Sequence, residues 1–416
     1  MDKPTFTTLL LLLVLSFYAG LNAQEAEEPP KYTYKPIKLN MSEDGSAFIR
    51  FLTWQQYWAT SDLREGADSG LKPSIRRSRF AFLTKFNPKF LLFMQWGLNS
   101  LGTNNLDGLG NGSSAPQMFL HDAWIEYNFS KEFQVGYGLH YWQGLSRASN
   151  QSTINKMALD ATRPVIHWHD IAQTNQFARK LGIYAKGTLG EKFNYRLALS
   201  SPRGGGGMTD LPSDSTGVAK FGAWTLPDGG NSIFEGYLSY SFWDKEGNAL
   251  PFYVGTYLGN KKILNVGAGF YNFGNSSVAS NKDGSIEYFN TTHLAADVFM
   301  EYPFGNKGEN GMLSTYLAYY NFDFGPDADN TATVRAATGS VIFGEVGYLL
   351  PGKKIMPYVS FQSRNYDSAG SGSTLNTGLA YFASGHNLKL NAEYHNITQN
   401  DVVNQEQFRI QLHFFM

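Results

Sequence analysis

The chain has 416 residues, with 34 Lys+Arg against 35 Asp+Glu and a formal charge of −1. That balance gives no support to a nucleic-acid partner. The absence of cysteine excludes disulfides, thiolate metal sites, a cysteine nucleophile and a lipid anchor on an N-terminal cysteine. Aromatics reach 15%, glycines number 43 and charged residues are only 17%, against about a quarter in an ordinary soluble domain; the mixture suits many strands joined by tight turns.

The N-terminus MDKPTFTTLLLLLVLSFYAGLNAQ has a short basic start at Lys3, an apolar core and small residues before Gln24. It predicts a secretory signal peptide over 1–23, because the apolar run is shorter than the ~20 residues of a spanning helix. Residues 24–45 then predict a flexible periplasmic segment. From residue 46 the pattern has period two. In EFQVGYGLHYWQG, Phe133, Val135, Tyr137, Leu139 and Tyr141 share one face, and Gln134, Gly136, Gly138, His140 and Trp142 the other.

Strands are predicted at 46–59, 73–86, 90–101, 117–129, 132–143, 179–190, 192–201, 233–243, 263–274, 290–303, 312–324, 339–350, 355–366, 374–384, 387–398 and 404–416. Strands in soluble proteins average about five or six residues, whereas a tilted strand crossing a bilayer needs about nine to eleven. Short turns at 87–89, 130–132, 190–192, 351–354 and 384–387 alternate with long Gly/Asn/Ser/Asp-rich loops, including 102–116, 144–178, 202–232 and 275–289. That alternation is the two-rim pattern of an outer-membrane barrel.

The fold class expected is all-β, a 16-stranded antiparallel transmembrane β-barrel over 46–416. LPFYVGTYLG, 250–259, also reads as a strand. An even strand number assigns 244–262 to an unusually long connection on the short-turn rim. The alternative is an 18-stranded barrel whose extra partner lies within 215–225. Aromatics near strand ends, Phe129, Phe133, Tyr302, Phe304, Tyr319, Tyr320 and Phe322, are expected to form interface girdles. The final stretch QFRIQLHFFM is expected to be the closing strand and the signal read by the barrel assembly machinery.

Several stretches together resemble a known family. IRRSRFAFLTKFNPKFLLFMQW at 75–96, HDAWIEYNFSKEFQVGYG at 121–138 and ARKLGIYAKGTLGEKFNYRLALSSPRG at 178–204 are similar to successive hairpins of the phosphate-selective porin O and P family, of a Bacteroidetes type. The resemblance covers most of 73–204. It implies a 16-stranded, usually trimeric porin of the Gram-negative outer membrane, with a constriction loop folded into the lumen. The candidate loop is 144–178, the longest connection, since long connections inside compact folds are usually functional.

The expected function is passive diffusion of small hydrophilic solutes through a water-filled barrel, with a phosphate-like anion preference as the finer expectation. Pore-lining or constriction candidates are Arg77, Arg79 and Lys85 on the second strand, Arg147, Lys156, Arg163, His167 and His169 in the loop, and Lys186 and Arg196 on the following strands. Guanidinium groups recognise oxyanions well. Asp122, Glu126, Asp297, Glu301 and Glu345 also fall on inner faces, which argues for a general rather than phosphate-specific pore. His167 and His169 lack further ligands fixed by spacing, so no metal site is assigned. No cofactor, catalytic residue or enzymatic activity is expected. The partners expected are small solutes or anions, outer-membrane lipid and lipopolysaccharide, and other copies in a homotrimer. The competing reading is a structural or interaction component of a larger envelope complex.

Overall fold

The computed structural model describes residues 34–105, 118–159, 164, 178–202, 220–221, 232–250, 252–280, 286–325, 337–367, 370–400 and 402–416. Residues to Pro36 form one unit and Ile37–Met416 a second; the barrel is the second. Its strands are β1 (Phe48–Asp62), β2 (Lys72–Lys85), β3 (Phe90–Gly102), β4 (Phe119–Asn128), β5 (Gln134–Tyr141), β6 (Arg179–Leu189), β7 (Phe193–Ser200) and β8 (Ile233–Ser241). They continue with β9 (Ile263–Ser280), β10 (Ile286–Pro303), β11 (Met312–Asp323), β12 (Gly339–Leu349), β13 (Ile355–Tyr366), β14 (Gly370–His386), β15 (Leu388–Gln399) and β16 (Val402–Phe415).

Each strand pairs antiparallel with the next. β16 closes on β1, from Gln407 opposite Asp62 to Phe415 opposite Trp54. Closure pairs every ladder edge, the condition for a sheet in lipid. The result is a 16-stranded antiparallel barrel. Two further short strands belong to the sheet without entering the wall. Lys38–Asn40 lies beside the start of β1, and Lys220–Phe221 pairs with Ser277 and Val278 at the end of β9. The 18-stranded alternative is thereby corrected: the 215–225 region supplies a two-residue addition to one hairpin. The loop expected at 275–289 is also shorter than expected, because β9 and β10 extend as a hairpin past an irregularity between Phe273 and Ser277.

Alternation places one face toward lipid. Tyr137, Leu181, Ile183, Leu317, Tyr319 and Val346 are exposed outward, while Tyr184, Tyr316, Ala318 and Tyr320 are buried inward. The girdle expectation holds geometrically for Phe129, Phe133, Phe304 and Tyr319, which are exposed. Tyr320 and Phe322 are corrected: both are buried in the barrel interior. β11 is apolar on both faces because its inner face packs against another part of the chain.

That part is the connection after β5. Residues 144–159, here the first inner segment, run across the barrel interior. Leu145 N–H donates to the Gly236 carbonyl (3.1 Å) at one end, and Leu159 N–H to Glu393 Oε2 (3.0 Å) at the other. The connection 244–262 also departs from expectation. Its described residues between 246 and 259, here the second inner segment, turn into the barrel from the short-turn rim. Phe252 packs on Phe93 and Tyr141 (centroids 6.2 and 5.1 Å), Tyr253 on Tyr237 (5.8 Å), and Leu258 joins Met157, Met312 and Met356. Its strand-like apolar alternation is satisfied by packing inside the barrel instead of by a ladder.

Candidate functional site

The two inner segments bind each other. Tyr253 N–H donates to the Asn150 carbonyl, Ser152 N–H to the Tyr253 carbonyl and Thr256 N–H to the Asn155 carbonyl, each at 2.9 Å. An isolated parallel bridge joins Gln151 and Tyr253. Gly255 permits the approach: a Cβ there would lie 2.8 Å from Lys156 Cα, closer than side-chain carbons come. The joint is locked by Arg147. Its guanidinium grips Glu246 through both Nη atoms, with Nη2 2.7 Å from Oε1. The same Nη2 donates to the Val254 carbonyl (2.6 Å), and the guanidinium lies 3.8 Å from the Phe299 ring centroid. Arg147 and Glu246 are buried, and such a two-pronged pair is both strong and orientation-specific. Tyr257 Oη also donates to Glu246 (2.8 Å). At the exposed entry of the second segment, Lys245 pairs with Glu191 (2.5 Å) in the β6–β7 turn and holds that carboxyl below its usual range.

Carboxylates of the wall anchor the backbone of both segments. Glu235 accepts from Gln143 N–H (3.1 Å), Asp297 from Arg147 N–H (2.7 Å) and Glu393 from Leu159 N–H. Glu301 accepts from Tyr257 N–H (2.9 Å) and Gly259 N–H (3.0 Å). Backbone without a ladder must find acceptors inside the barrel, and a carboxylate can take several donors at once. These carboxylates are further held by Lys180 on Glu235 (2.7 Å), Tyr237 and Tyr316 on Asp297 (2.7 and 3.0 Å) and Tyr358 on Glu393 (3.0 Å). Four of the acidic residues read on inner faces are therefore turned to structural use. Asp297 and Glu301 hold inner segments, Asp122 pairs with Arg179 (2.7 Å) and Glu126 with Lys186 (2.9 Å). Glu345 is buried on β12.

A cavity of about 240 Å³ remains between the inner segments and the wall formed by β1–β6. Its described lining carries Arg50, Arg77, Arg79, Arg179 and His121, and no Asp or Glu. The inward positions alternate along β2, so Arg77 and Arg79 project from one face about 7 Å apart along the strand. Arg77 Nη1 donates to Gln56 Oε1 (2.8 Å), and Arg79 is held by the Leu98 carbonyl and Asn99 Oδ1. Gln95, its amide nitrogen toward Asp122 (3.0 Å) and oxygen toward Arg79 Nε (3.3 Å), links Arg79 to the Asp122–Arg179 pair. The lining also has an apolar part, Leu52, Leu83, Phe93, Phe252 and Phe415, with Arg50 directly opposite Leu83.

The residues singled out from sequence thus fall into four groups. Arg77 and Arg79 line the cavity. Arg147, Lys156, Lys186 and Arg196 are buried against the inner segments: Lys186 donates to the Ala249 carbonyl (2.8 Å), and Arg196 to Asn248 Oδ1 (3.0 Å) and the Leu250 carbonyl (3.1 Å). Lys85 is half-buried at the end of β2 and is not part of the lining. Arg163, His167 and His169 lie outside the described residues. Sequence reasoning missed Arg50, Arg179 and Glu246. Arg50 had a signal in the alternation of FIRFL, and Arg179 in ARKLG; Glu246, in a segment with no ladder, had none.

No protein-family model matches the sequence, and no curated protein sequence matches it. Among solved structures, the chain is similar to the outer membrane channel DcaP of Acinetobacter baumannii at 10% identity and a TM-score of 0.53, covering 90% of this chain and 99% of that one. OmpF of Salmonella typhi, in complex with daunomycin, gives 13% identity and a TM-score of 0.52 over 90% and 99%. An anion-selective porin from Comamonas acidovorans gives 10% and 0.52 over 89% and 100%. At such identities the likeness concerns the fold, and the fold this chain shares with them is the porin-type barrel.

Proposed function

We propose that the chain is an outer-membrane channel for passive diffusion of small hydrophilic solutes, with a preference for anions set by the cavity beside the inner segments. The observation that carries this reading is the charge of that cavity: four arginines and no carboxylate among its described lining. A ring of basic groups in a low-dielectric passage raises the local concentration of anions. Of the carboxylates that first argued against anion preference, Asp122, Glu126, Asp297 and Glu301 are bound to Lys, Arg, Tyr or backbone N–H groups, and none of the five is in the lining of this space. The signal peptide at 1–23, the periplasmic segment at 24–45 and residence in the outer membrane with its lipopolysaccharide belong to the same proposal, as does the homotrimer that the family resemblance implies.

The test is single-channel recording in planar bilayers with a potassium chloride gradient. Discrete ohmic steps are expected, with a reversal potential on the chloride side. Arg77→Gln with Arg79→Gln should bring that potential toward zero while steps persist. Folded barrel without steps would sink the reading. One observation favours a second reading, a structural component of an envelope complex: two inner segments occupy much of the interior. It predicts folded, silent barrels.

A further inference from the structure

The cavity is not uniformly polar: part of its lining is charged and part is apolar. β2 runs from the long-loop rim to the short-turn rim. Arg77 sits opposite Gln56 and Asn99, and Arg79 opposite Trp54 and Gly97. Further toward the short-turn rim, Leu83 sits opposite Arg50 and Phe93. Arg77 and Arg79 thus face the long-loop side, and an apolar surface of Leu83 and Phe93, with Arg50 at its edge, lies toward the short-turn rim. The apolar surface is built from rigid parts. Phe93 meets Phe252 edge to face (6.2 Å, 69°) and Trp124 at 5.4 Å, and Phe252 is held from behind by Tyr141.

An inorganic oxyanion presents acceptors in every direction. Those turned toward Leu83, Phe93 and Phe252 would meet carbon, with only Arg50 at the edge of that surface to serve them, and an unmet polar group in such a place is costly. A solute that is charged at one end and apolar at the other uses both parts of the lining. The volume suits it: a cavity of about 150 Å³ lined by apolar groups holds one benzene, so 240 Å³ accommodates a six-membered ring with a carboxylate. Planar carboxylates match guanidinium forks, and aromatic rings favour edge-to-face neighbours such as Phe93.

We propose that this cavity is a binding site for small amphipathic monoanions, a carboxylate on a flat apolar body, with the carboxylate at Arg77 and Arg79 and the body against Leu83, Phe93 and Phe252. The inference deepens the anion-path reading and rests on it. Binding and conductance are therefore measured separately.

The probes are benzoate, acetate and inorganic phosphate, titrated calorimetrically into the folded full chain in detergent and added to the bilayer as blockers of chloride current. Benzoate should bind at least tenfold more tightly than acetate or phosphate and block at correspondingly lower concentration. Phe93→Leu should remove most of the benzoate advantage and leave acetate unchanged; Arg79→Gln should weaken benzoate and acetate alike. Acetate or phosphate equal to benzoate in the unaltered chain would overturn the inference, whatever the variants do. Anion-selective steps without benzoate preference would overturn the inference and leave the channel standing. Benzoate binding to silent barrels would support the site and remove the channel.

Discussion

The wall formed by β1–β4 and the wall formed by β10–β15 both turn charged side chains inward, yet those charges serve different ends. On β10 and β15, Asp297, Glu301 and Glu393 receive backbone N–H groups from the inner segments. On β1 and β2, Arg50, Arg77 and Arg79 border a cavity. The same strand periodicity produces both. What differs is whether the chain returns to cover the inner face. Where it does, each charge acquires a partner from the inner segments and the region behaves as a packed core; where it does not, Arg77 and Arg79 are held by groups of their own wall, Gln56, Asn99 and the Leu98 carbonyl, and border the cavity.

Breaking the packed side should have the larger effect. Arg147→Ala leaves Glu246 buried beside Asn265 and Tyr257 without its guanidinium. Removing one partner of a buried pair costs about 3–5 kcal/mol. A clear fall in the thermal midpoint of the detergent-folded barrel is expected, together with larger and noisier conductance as the inner segments separate. An unchanged midpoint would mean that the Arg147–Glu246 clasp does not hold the segments. A smaller effect is expected from Gly255→Ala. Its Cβ would meet the Asn155 carbonyl and Lys156 Cα where the segments cross, an overpacking cost of about 1–3 kcal/mol. The midpoint should fall by less than in Arg147→Ala. Equal losses would show the crossing to be as important as the ion pair.

The strands were legible because alternation is imposed locally, residue by residue, by the need for one lipid-facing side. β9, β11 and β15 each announce themselves in this way. The inner segments were not, for the same physical reason. LPFYVGTYLG shows an apolar face, but alternation cannot tell whether lipid, a neighbouring strand or another loop meets it. Tyr320 and Phe322 were misassigned to the girdle on that ambiguity. Partner choice across the interior was equally hidden. Lys180 reaches Glu235 across β7, and Asp297 accepts from a loop residue 150 positions earlier, distances that no short motif encodes. Arg77 and Arg79 were legible because they sit within a hairpin whose lipid face, Phe80 and Phe82, fixes the inward direction. Arg50 and Arg179 border the same space from other strands, Arg50 from the neighbouring β1 and Arg179 from β6, and only the assembled wall brings all four together.

The closing seam offers the smallest energetic test. β16 meets β1 beside the cavity, and Phe415 contributes to its lining. Phe414, 40% exposed, points outward opposite Gln55 and Leu388. It lies near the short-turn rim, where a charged substitution on the lipid face costs only about 0–1 kcal/mol. Phe414→Asp should therefore barely change the thermal midpoint or conductance of barrels refolded in detergent. If the terminal strand is also the feature read during assembly, the yield of heat-modifiable barrel in membrane fractions should fall severalfold in the same variant. A yield that follows the refolded stability would make Phe414 an ordinary lipid-facing side chain. A yield that falls while refolded stability holds would separate recognition of the strand from its contribution to the seam.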